Sequence, residues 1–380
     1  MKILVWQWGR RGAGPRFAAE LAGSLNALSG VEAALSLSSQ AELLSGASPP
    51  ACQLPFPTYE DLGGLLVRLP MLPFQVAPLA ARIGALDPDV AICAMPAPLD
   101  LLMASALQRV HVPFFVVVHD ANLHPGDGLP VQMTLQRMLV RRAHGLVTLS
   151  RHVANQLDRQ DVARGRPVII ASHPPFVFGP TPPPPRTHGG KLRLLSFGRL
   201  LPYKGLDLLA AALRLLGPSA DLEVRVIGRG PESAELDDLR ATPGVTVDNR
   251  WVPEPEVAGI LAWADALVLS HREASQSGVA AAAIAARRWV VATRVGGIVE
   301  QLRDEPLARL CDPAPESLAR ALRLLVTEPP RAAMAIDPRA AWRDAAYDLA
   351  QQMSAAVGGG WPPPAQPEVA KRAKEVTSAS

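Results

Sequence analysis

Lysine is nearly missing from this chain. Of 38 lysines and arginines only five are lysine, and only Lys2, Lys191 and Lys204 stand ahead of the C-terminal tail. A lysine inside a motif is therefore not background. Cysteine is scarce too: Cys52, Cys93 and Cys311 lie far apart with no CxxC or Cys/His spacing. That argues against a disulfide framework and a structural zinc, and it suits a reducing cytosol. Charged residues make up 19% of the chain and the net charge is +3. Apart from MLVRRAH there is no run of basic residues to track a phosphate backbone, which argues against a nucleic-acid partner. Long hydrophobic runs are also wanting. MKILVWQWGRRG lacks the apolar segment of a signal peptide, and GVAAAAIAA falls well short of the roughly 18 apolar residues of a spanning helix. The expectation is a cytoplasmic protein, soluble or peripheral at the inner face of a membrane.

What is present is a globular composition, 48% hydrophobic over 380 residues, a length that suits two domains of roughly 150–190 residues. In the first half KILVW, VAICAM, PFFVVVHD and GLVTLS read as strands, alternating with the helical patterns FAAELAGSLNAL, LDLLMASALQRV and MTLQRMLVRRAH. Unbroken apolar strands between helices imply a parallel sheet covered on both faces. Residues 46–88 are proline-rich and read as loop plus one helix over Pro78 to Leu86. HPPFVFGPTPPPPRTHGG then breaks the pattern as a linker, and the alternation restarts at KLRLLSFG. The expected architecture is α/β: residues 1–173 as an N-terminal Rossmann-like domain, 174–190 as linker, 191–335 as a second Rossmann-like domain, 336–357 as a C-terminal helix, and 358–380 as a disordered tail. Two such sheets would turn their strand C-terminal ends, where ligands bind, toward a shared cleft.

The strongest motif is SFGRLLPYKGLDLLAAALRLL, Ser196 to Leu216. Arg199 follows a strand and Lys204 lies just before a helix, so a bidentate guanidinium and a mobile ammonium converge near unpaired helix N–H groups, as a diphosphate requires. The plainer reading is a solvated loop with two surface cations. Gly228 and Gly230 in VIGRGPE end another strand and suit a backbone approach to a ligand. In LSHREASQSGV a strand delivers Glu273, Gln276, Ser277 and Gly278 to a helix start. Amides from Ser277 to Val279 could cap a phosphate and Glu273 could accept from sugar hydroxyls; alternatively this is an ordinary helix cap. In the first half, Gly12 and Gly14 of GRRGAG form a glycine-rich turn for an anionic group or acceptor, though the spacing is not GxGxxG and no acidic ribose partner follows, which demotes a dehydrogenase. His119 and Asp120 end a strand and face the cleft rather than the core. Arg141 and Arg142 fit a solvated helix face better than a membrane-facing patch.

These residues resemble the retaining, nucleotide-sugar-dependent glycosyltransferases of family 4, the glycosyl transferases group 1, with the GT-B fold. GRLLPYKG is similar to that family's GRLxPxKG signature, GRGPE to its GxGP turn, and WVVATRVGGIVE to its PVVATxxGGxxE close. The first half agrees more loosely, through the glycine-rich turn, VVVHD and TLSRHVANQL. The resemblance implies that Arg199 and Lys204 hold a donor diphosphate, that Trp251 and Val252 lie by the nucleobase, that Glu273 contacts the donor sugar, and that His119 lies near the reacting centre. It also implies a last helix crossing back to the first domain. Two departures stand out. The family's second glutamate, eight positions after the first, is here Ala281, and its GxP is Arg287, Arg288 and Trp289.

The expected function is transfer of a sugar from a nucleoside-diphosphate donor to a saccharide or lipid-linked acceptor hydroxyl, in polysaccharide or glycolipid assembly, with no metal or other cofactor. The alternatives are a catalytically degenerate GT-B protein that binds a nucleotide sugar or a partner enzyme, and a sugar-nucleotide epimerase.

Overall fold

The computed structural model describes residues 1–46, 48–126, 130–217, 221–330 and 337–361. Its first sheet holds β1 (Lys2–Gln7), β2 (Glu32–Leu37), β3 (Val90–Cys93), β4 (Phe114–Val118), β5 (Gly145–Thr148) and β6 (Val168–Ile170), all parallel, in the order β2-β1-β3-β4-β5-β6. Around it run α1 (Ala13–Asn26), α2 (Leu62–Arg68), α3 (Leu72–Leu86), α4 (Asp100–Arg109), α5 (Pro130–Arg142) and α6 (Arg151–Arg159). β3 and β4 are buried along their whole length, because helices cover both faces and leave no solvent side for polar residues.

The second sheet holds β7 (Leu192–Phe197), β8 (Leu222–Gly228), β9 (Val245–Asn249), β10 (Ala266–Leu269), β11 (Trp289–Thr293) and β12 (Ala308–Cys311). It too is parallel, in the order β12-β11-β10-β7-β8-β9. Its helices are α7 (Leu206–Leu216), α8 (Ala234–Arg240), α9 (Glu254–Trp263), α10 (Gly278–Ala285), α11 (Ile298–Leu302) and α12 (Pro315–Thr327). The strand order reverses between β1 and β3 in the first sheet and between β7 and β10 in the second. At such switch points the loops leave in opposite directions and open a crevice at the strand C-termini.

α13 (Pro338–Ala356) returns to the first sheet: it packs on α1, and Trp342 Nε1 donates to Pro175 O at 2.8 Å. Beyond it Trp361 Nε1 donates to Ser29 O at 3.2 Å. Residues 362–380, most of the expected tail, and the expected boundary at 335 lie outside the described residues.

Three strands absent from the sequence reading, β2, β6 and β12, are all edge strands. The span read as loop plus one helix carries two helices instead. α2 starts on Asp61, whose side chain accepts from Gly64 N, and α3 runs through Pro78 after a proline in its first turn. Pro73 fits there because first-turn N–H groups have no intrahelical acceptor.

The segment Arg287–Trp289 has a structural explanation. Arg287 adopts φ 52° after α10, the left-handed conformation that glycine takes at a helix end without strain. Arg288 is buried at 2% exposure and donates to three carbonyls, Ala286 O, Ala264 O and Pro183 O. It thereby fastens the proline-rich segment to the second sheet, and burial lowers its pKa to about 10. Arg287→Gly is expected to stabilise the fold by about 0.5–1 kcal/mol, the relieved left-handed strain less glycine's added chain entropy. Arg288→Ala, which leaves buried carbonyls unsatisfied, is expected to cost about 3 kcal/mol. Urea denaturation of both variants measures this, and equal stabilities would contradict it.

Candidate functional site

The residues that follow β7 and β10 form the core of the site. β7 ends at Phe197, and the chain runs through Arg199 to a short 3-10 turn at Pro202–Lys204 before α7 begins. Gly205 makes the joint with φ 65°, and a Cβ there would stand 1.9 Å from Ser270 O, at the end of β10. Only glycine allows that approach. Ser270 Oγ donates to Lys204 O at 2.9 Å, tying the two loops together.

With the loops so joined, Arg199, Lys204 and His271 line one small pocket at the switch point of the second sheet. Lys204 Nζ donates to His271 Nε2 at 2.9 Å. Burial, and then the Lys204 charge, push His271 well below the usual imidazole value, so it is neutral and acts as an acceptor that steers the ammonium. Tyr203, buried beneath, offers its ring to both cations, with Lys204 Nζ at 5.1 Å and Arg199 Cζ at 5.7 Å from its centroid. Such cation–π contacts hold charge near an apolar surface without neutralising it.

Gly228 and Gly230 serve that same loop. Cβ atoms on them would fall 1.6 Å from Gly198 O and 1.9 Å from Leu200 O, so their lack of side chains lets the Arg199 loop lie against the end of β8. Val279 touches the loop from the other side, 3.5 Å from where a Gly198 Cβ would be.

After β10 the loop presents Glu273, Gln276 and Ser277 to the first lobe. Ser277 caps α10: its Oγ accepts from Ala280 N at 3.2 Å, while its own N–H donates to Gln301 Oε1 at 2.9 Å. Among the described residues that leaves the N–H groups of Gly278 and Val279 without a protein acceptor. They are the amides still open to an anion. Trp251 stands opposite Gly12 across the cleft, and its indole N–H is buried without an acceptor. Arg11 of the glycine-rich turn lies over its ring, 5.9 Å from the centroid, and Val252 is buried beside it. Gly14 packs against Gln7 and Met95, so it shapes the start of α1 rather than facing the cleft.

From the first lobe, His119 and Asp120 follow β4. Burial holds His119 below the ordinary imidazole value. His119 Nε2 pairs with Ala94 O at 3.0 Å and Nδ1 with the Gln276 side-chain amide at 2.9 Å. That amide is oriented with its oxygen accepting from Nδ1 and its nitrogen donating to His119 O at 3.1 Å and Ser275 O at 3.2 Å. Four residues on, His124 makes the other bridge, donating to Asp120 Oδ1 at 3.0 Å and to Glu273 Oε1 at 3.1 Å while stacked on Tyr203. Burial works against its charge, but the hydrogen bonds and charges of Asp120 and Glu273 raise its pKa. Burial would likewise lift Asp120, yet His124 and the Ser275 hydroxyl hold it below the usual carboxylate range.

His119, Asp120, Arg199, Lys204, Glu273 and Gln276 thus lie on the three loops that follow β4, β7 and β10. Sequence reasoning missed His124, Tyr203 and His271. Tyr203 and His271 stood inside quoted motifs, whereas nothing local marked His124. At the position of the family's second glutamate, Ala281 is buried against Phe176. Among the described residues no three of His, Cys, Asp and Glu are grouped to hold a metal ion.

Two family models match the chain: the glycosyl transferase 4-like domain over residues 12–173 and glycosyl transferases group 1 over residues 191–328. A D-inositol 3-phosphate glycosyltransferase of Arthrobacter sp. (strain FB24) is 36% identical over 131 residues, 32% of this chain and 31% of the relative, so the match spans about a third of that protein. Among solved structures, Anabaena HepE in complex with UDP and glucose superposes with a TM-score of 0.63 at 16% identity, covering 94% of this chain and 99% of that one. Sucrose-phosphate synthase of Thermosynechococcus elongatus gives 0.61 at 14% identity and covers 100% of both chains. At these identities the likeness is one of fold, the two-lobed GT-B arrangement.

The His124 bridge is expected to make the contact between the lobes depend on pH. A histidine whose folded value is raised contributes fully below the ordinary 6.5 and loses its contribution as pH rises through the raised value. The radius of gyration from small-angle scattering is expected to grow over that rise in the wild type, and to be larger and pH-independent there in His124→Ala. An identical, flat profile for both proteins would remove the bridge from the account.

Proposed function

Since the chain belongs to the group 1 glycosyl transferases, we propose that it is a retaining glycosyltransferase, moving a sugar from a nucleoside diphosphate to an acceptor hydroxyl. The observation that carries this reading is the joint placement of Arg199, His271-steered Lys204 and the free amides of α10 around one crevice. As the bond between the anomeric carbon and the phosphate oxygen breaks, negative charge builds on the departing diphosphate. Two fixed cations and oriented amides stabilise it most at that moment and need no reorganisation. The acceptor oxygen forms its bond on the face the leaving group vacates, and its proton passes to a phosphate oxygen of that group. Glu273 accepts from donor-sugar hydroxyls once His124 yields it, and His119 stands near the reacting carbon. Trp251 and Val252 lie by the nucleobase. The reading invokes no cofactor and no metal.

The uridine nucleotide in the HepE complex supports a nucleotide-sugar donor, and the inositol-phosphate relative is compatible with hexosyl transfer. A hydroxyl on a saccharide or a lipid-linked acceptor, in polysaccharide or glycolipid assembly at the cytoplasmic face of a membrane, completes the proposal. One observation favours a second reading, binding without turnover: Ala281 supplies no carboxylate for the donor ribose.

Lys204→Ala is expected to lower turnover by about 100- to 1,000-fold, the equivalent of about 2.7–4 kcal/mol of lost transition-state stabilisation, with an unchanged melting temperature. Wild-type turnover in that variant would defeat the site. Thermal-shift screening against UDP-, GDP- and ADP-sugars is expected to single out one nucleotide, since a ligand bound only by the native state raises its melting temperature. A stabilising donor that is neither hydrolysed nor transferred across an acceptor panel would decide for the second reading.

A further inference from the structure

The helical layer on one face of the first sheet is unlike the rest of the surface. α2, a 3-10 turn at Leu69–Met71, and α3 form an almost continuous helical stretch. Gly63–Leu86 within it, 24 residues, is long and apolar enough to cross a membrane. It does not cross one in this fold, because Leu79, Ala80 and Ile83 are buried against the domain core. The other side of the stretch is bare: Leu66, Val67, Leu69, Met71 and Phe74 are between 46% and 76% exposed. Isolated exposed leucines are ordinary, but five large apolar side chains on one short stretch form a patch that marks contact with something.

Charge identifies the partner. α3 packs on α4 and α4 on α5, so α2 to α5 form one layer. Within their bounds these four helices carry Arg68, Arg82, Arg109, Arg137, Arg141 and Arg142 against one acidic residue, the buried Asp100. Exposed Asp61 and Asp87 stand at the outer ends of the α2–α3 stretch, Asp87 paired with Lys2. None of these arginines makes an ion pair among the described residues. α5 adds exposed Val131 and Met138 among its arginines, so Arg141 and Arg142, read from the sequence as a merely solvated helix face, stand beside exposed apolar side chains instead. Arg68, Arg82 and Arg142 are held by Pro57 O, Pro55 O and Ser105 Oγ. In a chain of net charge +3, an apolar strip beside guanidinium groups that have no carboxylate partner among the described residues complements a surface with acidic headgroups above hydrocarbon. A second copy fits poorly, since a two-fold contact would set each arginine cluster against itself.

We propose that this layer is a docking surface for an anionic lipid bilayer, with the α2–α3 face lying in the interface and the arginines at headgroup level. It does not depend on the transfer reaction. It does place that reaction, because Arg10 of the glycine-rich turn donates to Glu60 O just ahead of α2. The apolar face therefore begins close to the glycine-rich turn.

The test is co-sedimentation of the full-length chain with phosphatidylcholine vesicles and with vesicles containing phosphatidylglycerol. Binding is expected only to the anionic vesicles, and to weaken with salt. Val67→Asp/Phe74→Asp is expected to abolish it at unchanged melting temperature, and Arg137→Gln/Arg141→Gln to weaken it about thirtyfold, from roughly 1 kcal/mol per arginine at the surface. Failure to pellet with anionic vesicles, equal binding to both vesicle types, or full binding by the Asp variant would overturn the proposal. So would a concentration-dependent dimer lost in the Asp variant without vesicle binding, which would assign the face to a second copy.

Discussion

A lysine can act on a leaving diphosphate only if the backbone that carries it reaches the point where the sheet changes direction. Here one close approach achieves this: the Gly205 backbone lies against Ser270 O so tightly that no side chain fits between them. The contact joins the loop after β7 to the loop after β10, across the switch point. The remaining features follow from it. Lys204 meets His271 because their loops are joined, and His271 stays neutral because the same joint buries it. Tyr203 lies under both cations because the 3-10 turn ends at that glycine. The end of β8 must then make room for the Arg199 loop, which is why Gly228 and Gly230 have no side chains to lose. A larger residue at 205 would move the ammonium as well as strain a turn.

The first lobe meets this platform through several polar contacts. Glu300 from the second lobe accepts from Arg151 N and His152 N, both at 2.7 Å. It thus caps α6, whose own cap, Ser150, donates to Ser275 O at 2.9 Å. Arg16 on α1 pairs with Glu254 at the start of α9, and His124 and Gln276 complete the series inside the cleft. A carboxylate at a helix N-terminus satisfies N–H groups that would otherwise need water, so this contact stabilises closure more than an exposed ion pair of similar length would. Of these contacts only the His124 bridge involves Glu273, the residue proposed to bind donor sugar. If Glu273 binds the donor sugar as proposed, His124 and that sugar share one carboxylate, and binding the sugar means displacing His124 from it.

Much of this was legible in the sequence. β3, β4 and β5 are short unbroken apolar runs, and burial on both faces writes itself into such strands. The motif around Lys204 was legible because lysine is so rare elsewhere. β2, β6 and β12 were not, because an edge strand is paired on one side and tolerates polar or small residues: β2 reads EAALSL, β6 has only three residues, and β12 contains Arg309. His124 could not be found locally, since its partner Glu273 is 149 residues away and belongs to the other lobe. α2 escaped notice because its paired glycines, Gly63 and Gly64, look like a loop until Asp61 is seen to cap it.

The two departures from the family pattern bear on one element. Ala281 O accepts from Phe176 N at 3.3 Å, and the Ala281 methyl lies in the cluster that holds Phe176 and Trp342. Arg288 holds Pro183 O, and just beyond it Asp265 accepts from Arg186 N at 2.6 Å and from His188 Nε2 at 2.9 Å. All of these are attachments of the proline-rich segment to the second lobe. A glutamate at 281 would press a carboxylate into the Phe176 cluster, where no water could solvate it, so the loss of that carboxylate and the packing of the linker are one structural choice. The segment joining the lobes is therefore a strap clamped along its length rather than a free hinge. Attached in this way, the segment holds the lobes at the spacing across which Glu300, Arg16 and His124 make their contacts.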